Sequence, residues 1–151
     1  MQTLLRASCA LPIFSRPVLV DGSPCVDGGV SDSIPIVRAV ADGHPRNVVV
    51  LTRNAGYRKP PPTHRVLSRA LLGRYPAVYR ALLRRPGVYN TSLDLVEQME
   101  RAGEAFVLRP VRPLEVGRME RDLGRLEVLY RQGYDETLAR LPELEAWLRR
   151  S

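Results

Sequence analysis

The 151-residue sequence has little of the chemistry that metal centres and disulfide frameworks need. It contains only two cysteines, Cys9 and Cys25, and two histidines, His44 and His64. Two thiols without a spacing motif indicate neither a zinc site nor a disulfide network. We therefore expect no metal and no cofactor, and we expect both cysteines to be reduced and buried.

Long apolar runs are also missing. No stretch approaches the roughly 20 apolar residues that a membrane-spanning helix needs. Arg6, Pro12 and Arg16 interrupt the apolar residues near the N-terminus, so the continuous apolar run of a secretory signal peptide is absent. With 44% hydrophobic and 26% charged residues, the composition is that of an ordinary globular protein. These features predict a cytoplasmic protein, with peripheral attachment to a membrane as the alternative.

Acidic residues are absent from the middle of the chain. Residues 43–90 contain ten basic side chains and no Asp or Glu, within a net charge of +7. Such a segment can face the phosphates of lipid headgroups or of nucleic acid. Lys59 is the only lysine, so the same bias can also reflect genome composition. Aromatic residues amount to 6% and no nucleic-acid motif is present, which makes nucleic acid the least favoured partner. The predicted contacts to an anionic membrane are Arg46, Arg53, Arg58, Lys59, Arg65 and Arg69.

The clearest strand signal lies at residues 47–52. The four residues from Val48 to Leu51 are apolar without alternation, which predicts a strand buried on both faces, as in a parallel sheet. Such a strand needs helices on both sides, so the pattern favours an α/β layer architecture. A hairpin is predicted earlier, with a strand at 18–20, a turn at Asp21-Gly22 and a return strand beginning at Cys25.

Helical periodicity and end signals place the remaining elements. Apolar residues spaced three and four apart from Val116 to Tyr130 form a stripe, which we interpret as a packing surface, with a partner-binding groove as the alternative. Gly133 is predicted to end this helix, and Pro142 to start a further helical piece. Helices are predicted over 3–10, 34–41, 66–72, 77–83, 91–102, 116–132 and 135–150, and a further strand over 105–108.

An ordered series of short segments resembles one known family. The segments are ASCALP at 7–12, VDGGV at 26–30, SDSIPI at 31–36, LTRNAGYR at 51–58 and FVLRP at 106–110. Their order along nearly the whole chain is similar to the patatin-like phospholipases, in a bacterial branch that carries a helical tail. The resemblance implies an α/β fold in which residues 1–56 are the C-terminal part of a patatin-like α/β/α three-layer domain. Residues 57–151 are then a mostly helical extension with one extra strand, packed on that core.

The resemblance implies a serine acyl hydrolase that acts on lipid esters through a Ser-Asp dyad. Asp27 matches the dyad aspartate, and Gly28 and Gly29 match the loop that holds it. A carboxylate in this position can accept the proton of an attacking serine hydroxyl. The alternative is that Asp27 only anchors a turn. We expect Asp32 to cap the helix that follows.

Two parts of the implied catalytic machinery do not occur in the sequence. It contains no Gly-x-Ser-x-Gly nucleophile motif and no Gly-rich loop for an oxyanion hole. We expect both upstream of Met1 in the intact protein, and we predict that this chain alone hydrolyses no ester. The alternative function is a non-catalytic module that binds a membrane or a partner through its basic middle segment.

Overall fold

A computed structural model describes residues 1–12, 14–62, 72–117 and 120–150. Helices and short strands alternate within these residues, which confirms a mixed α/β class. None of the described helices is both long and apolar enough to cross a membrane. The helix predicted over 66–72 falls almost wholly outside the described residues. The elements are α1 (Gln2–Ser8), β1 (Val18–Val20), β2 (Ser23–Cys25), a 3-10 turn (Gly28–Val30), α2 (Ile36–Ala41), β3 (Asn47–Val50), α3 (Pro76–Ala102), β4 (Ala105–Leu108) and α4 (Leu123–Leu148).

The chain forms two compact units. The first consists of Met1–Arg38 and Arg58–Leu95, and the second of Ala39–Tyr57 and Val96–Ser151. The helices α2 and α3 each contribute residues to both units.

The first unit contains the predicted hairpin. Strands β1 and β2 pair antiparallel, with Val18 opposite Cys25. Asp21 and Gly22 join them with positive φ angles of 48° and 77°, as a two-residue type I′ turn requires. The return strand begins at Ser23, two residues before the predicted position. The core of this unit is made by Ala7, Ala10, Val30, Ile34, Ile36, Leu72, Tyr89 and Leu93.

The second unit contains the parallel pairing that the sequence favoured. Strand β3 pairs parallel with β4, from Asn47 opposite Ala105 to Val50 opposite Leu108. Strand β4 is buried, whereas Val48 and Val50 of β3 are 43% and 70% exposed. The prediction that β3 is buried on both faces is therefore wrong. Within the described residues β3 has β4 as its neighbouring strand on one edge, and Val48 and Val50 lie on its more exposed face.

Helix α3 corrects the predicted break between residues 83 and 91. The helix continues through Pro86, and the predicted start of a separate helix at Thr91 lies inside it. A proline removes one backbone hydrogen bond and disfavours a helix interior. Tyr89, Leu93, Val96 and Met99, however, follow at spacings of 4, 3 and 3 and are all buried. Burial of this stripe stabilises the helix more than the proline destabilises it.

Helix α4 corrects both boundaries predicted for the C-terminal part. It begins at Leu123 rather than Val116, because the Asp122 carboxylate caps it by accepting the N–H of Arg125 at 3.1 Å. It then continues through Gly133 and Pro142, which were predicted to separate two helices.

Candidate active-site loop around Asp27

The loop that carries Asp27 is fixed by backbone hydrogen bonds at both ends. The N–H of Asp27 donates to the carbonyl of Ala10 at 2.9 Å, which ties the loop to the chain just after α1. The carbonyl of Asp27 accepts the N–H of Val30 at 3.0 Å, and this bond closes the 3-10 turn. Val30 is buried, so an apolar side chain anchors the turn to the core of the first unit.

The Asp27 carboxylate caps the turn that follows it. Its Oδ1 accepts the N–H of Gly29 at 2.7 Å, and its backbone is extended, with φ −47° and ψ 124°. The residue is half-buried. Among the described residues no hydrogen bond reaches Oδ2 of Asp27, so the second carboxylate oxygen can accept a proton or a hydroxyl.

The two glycines of the loop have different roles. A Cβ on Gly29 would lie 3.0 Å from Oδ1 of Asp27, so the carboxylate occupies the space that a side chain would need. A Cβ on Gly28 would meet nothing within 4 Å. Neither glycine has a positive φ. Gly29 therefore provides room for the carboxylate, and the loop does not depend on left-handed backbone.

A serine and an arginine support the loop. The Ser33 hydroxyl donates to the carbonyl of Gly29 at 2.7 Å, and the guanidinium of Arg85 donates through Nε to the Ser33 hydroxyl at 3.3 Å. The Nη2 atom of Arg85 lies 3.8 Å from the position of a Gly29 Cβ. The guanidinium of Arg85 thus lies beside Gly29. Arg85 has no local signal in the sequence, because α3 brings it from a distant part of the chain.

Asp32 does not cap α2. Its Oδ1 is buried and has no hydrogen-bond partner in the part of the chain that the structure describes. The expected capping role is therefore wrong, and it is Asp27 that caps a helical turn in this loop.

A cleft with a volume of about 600 Å³ lies beside the loop in the first unit. Val26, which directly precedes Asp27, lines it. Arg16 and Arg74 also line it, so the cleft is lined by both basic and apolar residues. Asp27 itself is not among the lining residues.

The basic side chains that were predicted to contact a membrane mostly have partners within their own unit. In the first unit, Arg58 pairs with Asp94 at 2.9 Å, and Lys59 lies 4.6 Å from the centre of the Tyr89 ring. In the second unit, Arg46 covers the Trp147 ring at 4.1 Å, and Arg53 lies 5.0 Å from the Tyr57 ring. Arg65 and Arg69 lie outside the described residues.

The residues that could bind a metal are dispersed. Cys9 is exposed and Cys25 is half-buried, so the expectation that both thiols are buried is wrong. His44 is exposed, and His64 lies outside the described residues. Across residues 1–12, 14–62, 72–117 and 120–150, no group of three or more His, Cys, Asp or Glu side chains could hold a metal ion.

Sequence comparison assigns similarity to two parts of the chain. Residues 1–40 match the sequence model of the family described as "Patatin-like phospholipase". Residues 75–149 match a second family, described as "Domain of unknown function (DUF6363)". The resemblance predicted along nearly the whole chain is thus shown over the first 40 residues, which include the Asp27 loop. No curated protein and no solved structure matches the sequence.

Proposed function

We propose that this chain supplies the general base of a patatin-like serine acyl hydrolase, and that Asp27 is that base. The observation that carries the proposal is the geometry of its carboxylate. One oxygen is fixed by the Gly29 N–H and the other is open to accept a proton. The residue lies within the 40-residue segment that is similar to patatin-like phospholipases.

The chemistry follows from this arrangement. An attacking serine must lose its hydroxyl proton as it bonds to the ester carbonyl, and a fixed carboxylate can accept that proton and later return it to the leaving alcohol. Gly29 keeps the space beside the carboxylate clear of side chains. The hydrogen bonds from Ser33 and Arg85 hold the loop backbone in position. Asp27 thus combines an anchored oxygen with an accessible one.

The substrate in this proposal is a lipid or another acyl ester. In this proposal residues 1–40, which match the patatin-like family, belong to an α/β/α three-layer domain. The proposal requires a further polypeptide segment to supply the serine nucleophile and the oxyanion hole, since no Gly-x-Ser-x-Gly motif occurs in this sequence.

The test begins with the purified chain and a short-chain chromogenic ester such as p-nitrophenyl butyrate. We expect hydrolysis at the background rate. We expect the reading frame immediately upstream to encode Gly-x-Ser-x-Gly, and the longer polypeptide to hydrolyse the ester. In that polypeptide Asp27→Asn should reduce kcat by about 100-fold or more, since it removes the proton acceptor.

Asp21→Asn is the matched control. It makes the same chemical change at an exposed hairpin residue whose positive φ an asparagine tolerates. We expect it to keep the parental rate. Retention of activity by Asp27→Asn, or an upstream frame without the serine motif, would contradict the proposal.

A further inference from the structure

Helix α4 exposes a continuous apolar stripe. We define the α4 stripe as Leu126, Tyr130, Tyr134, Leu138 and Leu141, whose spacings of 4, 4, 4 and 3 place them on one face of the helix. These side chains are between 38% and 62% exposed. The rings of Tyr130 and Tyr134 stack with their centroids 6.3 Å apart. No α4 residue is fully buried. The helix has 26 residues and is about 39 Å long. An exposed apolar stripe along such a helix is typical of a surface that binds a partner.

The surface of the stripe contains a depression of the kind found where two helices pack together. Gly133 leaves a depression of about 520 Å³ between the side chains of Tyr130, Tyr134 and Thr137. Helices that pair side by side insert a side chain of one helix into a gap between residues of the other.

One flank of the stripe carries a charge pattern that is complementary to itself. It contains Glu127 and Arg131, which pair with each other at 2.8 Å, and Glu145 and Arg149, which pair at 3.7 Å. Leu138 lies midway in sequence between opposite charges. Glu127 is eleven residues before it and Arg149 is eleven residues after it. Arg131 is seven residues before it and Glu145 is seven residues after it. If a second α4 runs antiparallel, with Leu138 opposite Leu138, each glutamate on this flank faces an arginine of the other helix.

We propose that the C-terminal half of the α4 stripe, Tyr134, Leu138 and Leu141, packs against the same residues of a second copy of this chain, antiparallel, about a two-fold axis at Leu138. The interface is isologous, as in most homodimers. Burial of these three side chains, which lie within about one helical turn of the axis, supplies the hydrophobic driving force, and the flanking charges fix direction and register. The helix itself contains three arginines and five acidic residues, a balance that opposes docking on an anionic lipid surface. The proposal does not depend on the role of Asp27.

The first experiment measures the molar mass of the full chain by size-exclusion chromatography with light scattering at about 50 μM. We expect twice the mass of the 17.0 kDa chain. Leu138→Glu puts a charge at the centre of the interface and should give the monomer mass. Val128→Glu is the matched control, because Val128 is 68% exposed on the same helix but points away from the stripe. It should remain dimeric. Circular dichroism should show equal helix content in all three proteins.

The second experiment tests the register. In a background with Cys9→Ser and Cys25→Ser, Leu138→Cys should form a covalent dimer under mild oxidation, while Val128→Cys should not. Charge exchange gives an independent check. Arg131→Glu should weaken the dimer at least tenfold, and addition of Glu145→Arg should recover most of that loss.

Three outcomes would overturn the proposal. The first is a monomer mass for the unaltered chain at 50 μM. The second is equal cross-linking of Val128→Cys and Leu138→Cys. The third is binding of a monomer to phosphatidylcholine–phosphatidylglycerol vesicles that Leu138→Glu abolishes, which would assign the stripe to a lipid surface.

Discussion

At the scale of single residues, the hydrogen bond of the Asp27 carboxylate depends on residue 29 being a glycine. The carboxylate reaches the Gly29 N–H because no Cβ stands in its way. A side chain at Gly29 would have to displace Oδ1, and the turn would then lose the hydrogen bond that caps it.

Gly29→Ala should therefore destabilise the chain by about 1 kcal/mol, the usual loss for one hydrogen bond of this kind. Gly28→Ala is the control, since the added methyl group meets no atom within 4 Å. Urea unfolding followed by far-ultraviolet circular dichroism measures both variants. Equal midpoints for the two alanine variants would show that the close approach between Asp27 and residue 29 does not constrain the loop.

Sequence alone predicted part of this loop. Asp27 and its glycines could be identified because the motif is contiguous, and the contact between Asp27 and Gly29 is local. Ser33 and Arg85 were not predicted as its supports, because their hydrogen bonds depend on how α3 packs in the first unit. Asp32 was predicted to cap α2, since helix capping by aspartate is common, yet its side chain turns inward.

At the scale of elements, the strands and the starts of short helices followed from sequence, and the ends of long helices did not. Strand β4 and the β1–β2 turn lie where the pattern placed them. Gly133 and Pro142 were interpreted as boundaries because each is unfavourable inside a helix, by about 1 and 3 kcal/mol relative to alanine. Contacts made by the last turns of α4 offset part of these costs. Trp147 donates to the carbonyl of Gly103 at 2.9 Å, and Arg140 donates to the carbonyl of Val107 at 2.9 Å.

The start of α4 should depend on pH through Glu120. The N–H of Asp122, the N–H of Arg121 and the charge of Arg125 together hold the pKa of the Glu120 carboxyl below its ordinary value. The ionised form therefore stabilises the helix start above the ordinary glutamate range, and this contribution disappears as the pH falls through the lowered pKa.

Carbon-detected NMR titration of Glu120, with the amide protons of Arg121 and Asp122, measures this transition. We expect a midpoint below that of a glutamate in an unstructured peptide, and Glu120→Gln should remove the matching shift of both amide protons. A Glu120 midpoint at or above the unstructured value would contradict the assignment of these hydrogen bonds.

At the scale of the whole molecule, its two units are each discontinuous in sequence. A sequence pattern identifies elements in chain order, so a division at residue 57 was the natural expectation. The pairing of β3 with β4, which are more than 50 residues apart, could not be predicted from the pattern of either strand. The apolar residues of β3 indicated that it could be buried and did not specify what would cover it.

Val50→Lys should make the chain more resistant to aggregation at little cost in stability. Val50 is 70% exposed on β3, and a lysine there discourages contact between sheets of different molecules. We expect the free energy of unfolding to change by less than about 0.5 kcal/mol, while light scattering at high concentration decreases.

Val107→Lys is the contrasting variant, because Val107 is 1% exposed on the neighbouring strand. A charge buried there without a partner should unfold the second unit. If Val50→Lys were as destabilising as Val107→Lys, the exposure of β3 in solution would be disproved.

The hydrogen bonds between β3 and β4 also determine which segment of the chain keeps its backbone partners when it is expressed separately. The segment that matches DUF6363, residues 75–149, includes β4 and α4 but not β3. The carbonyls of Glu104 and Leu108 accept the N–H groups of Asn47 and Leu51 at 3.1 and 2.8 Å. A polypeptide cut to the boundaries of that recurring segment would keep these acceptors and lose their donors. The segment that matches DUF6363 thus contains one strand of the parallel pair, and residues 47–51 supply the hydrogen-bond donors of the other strand.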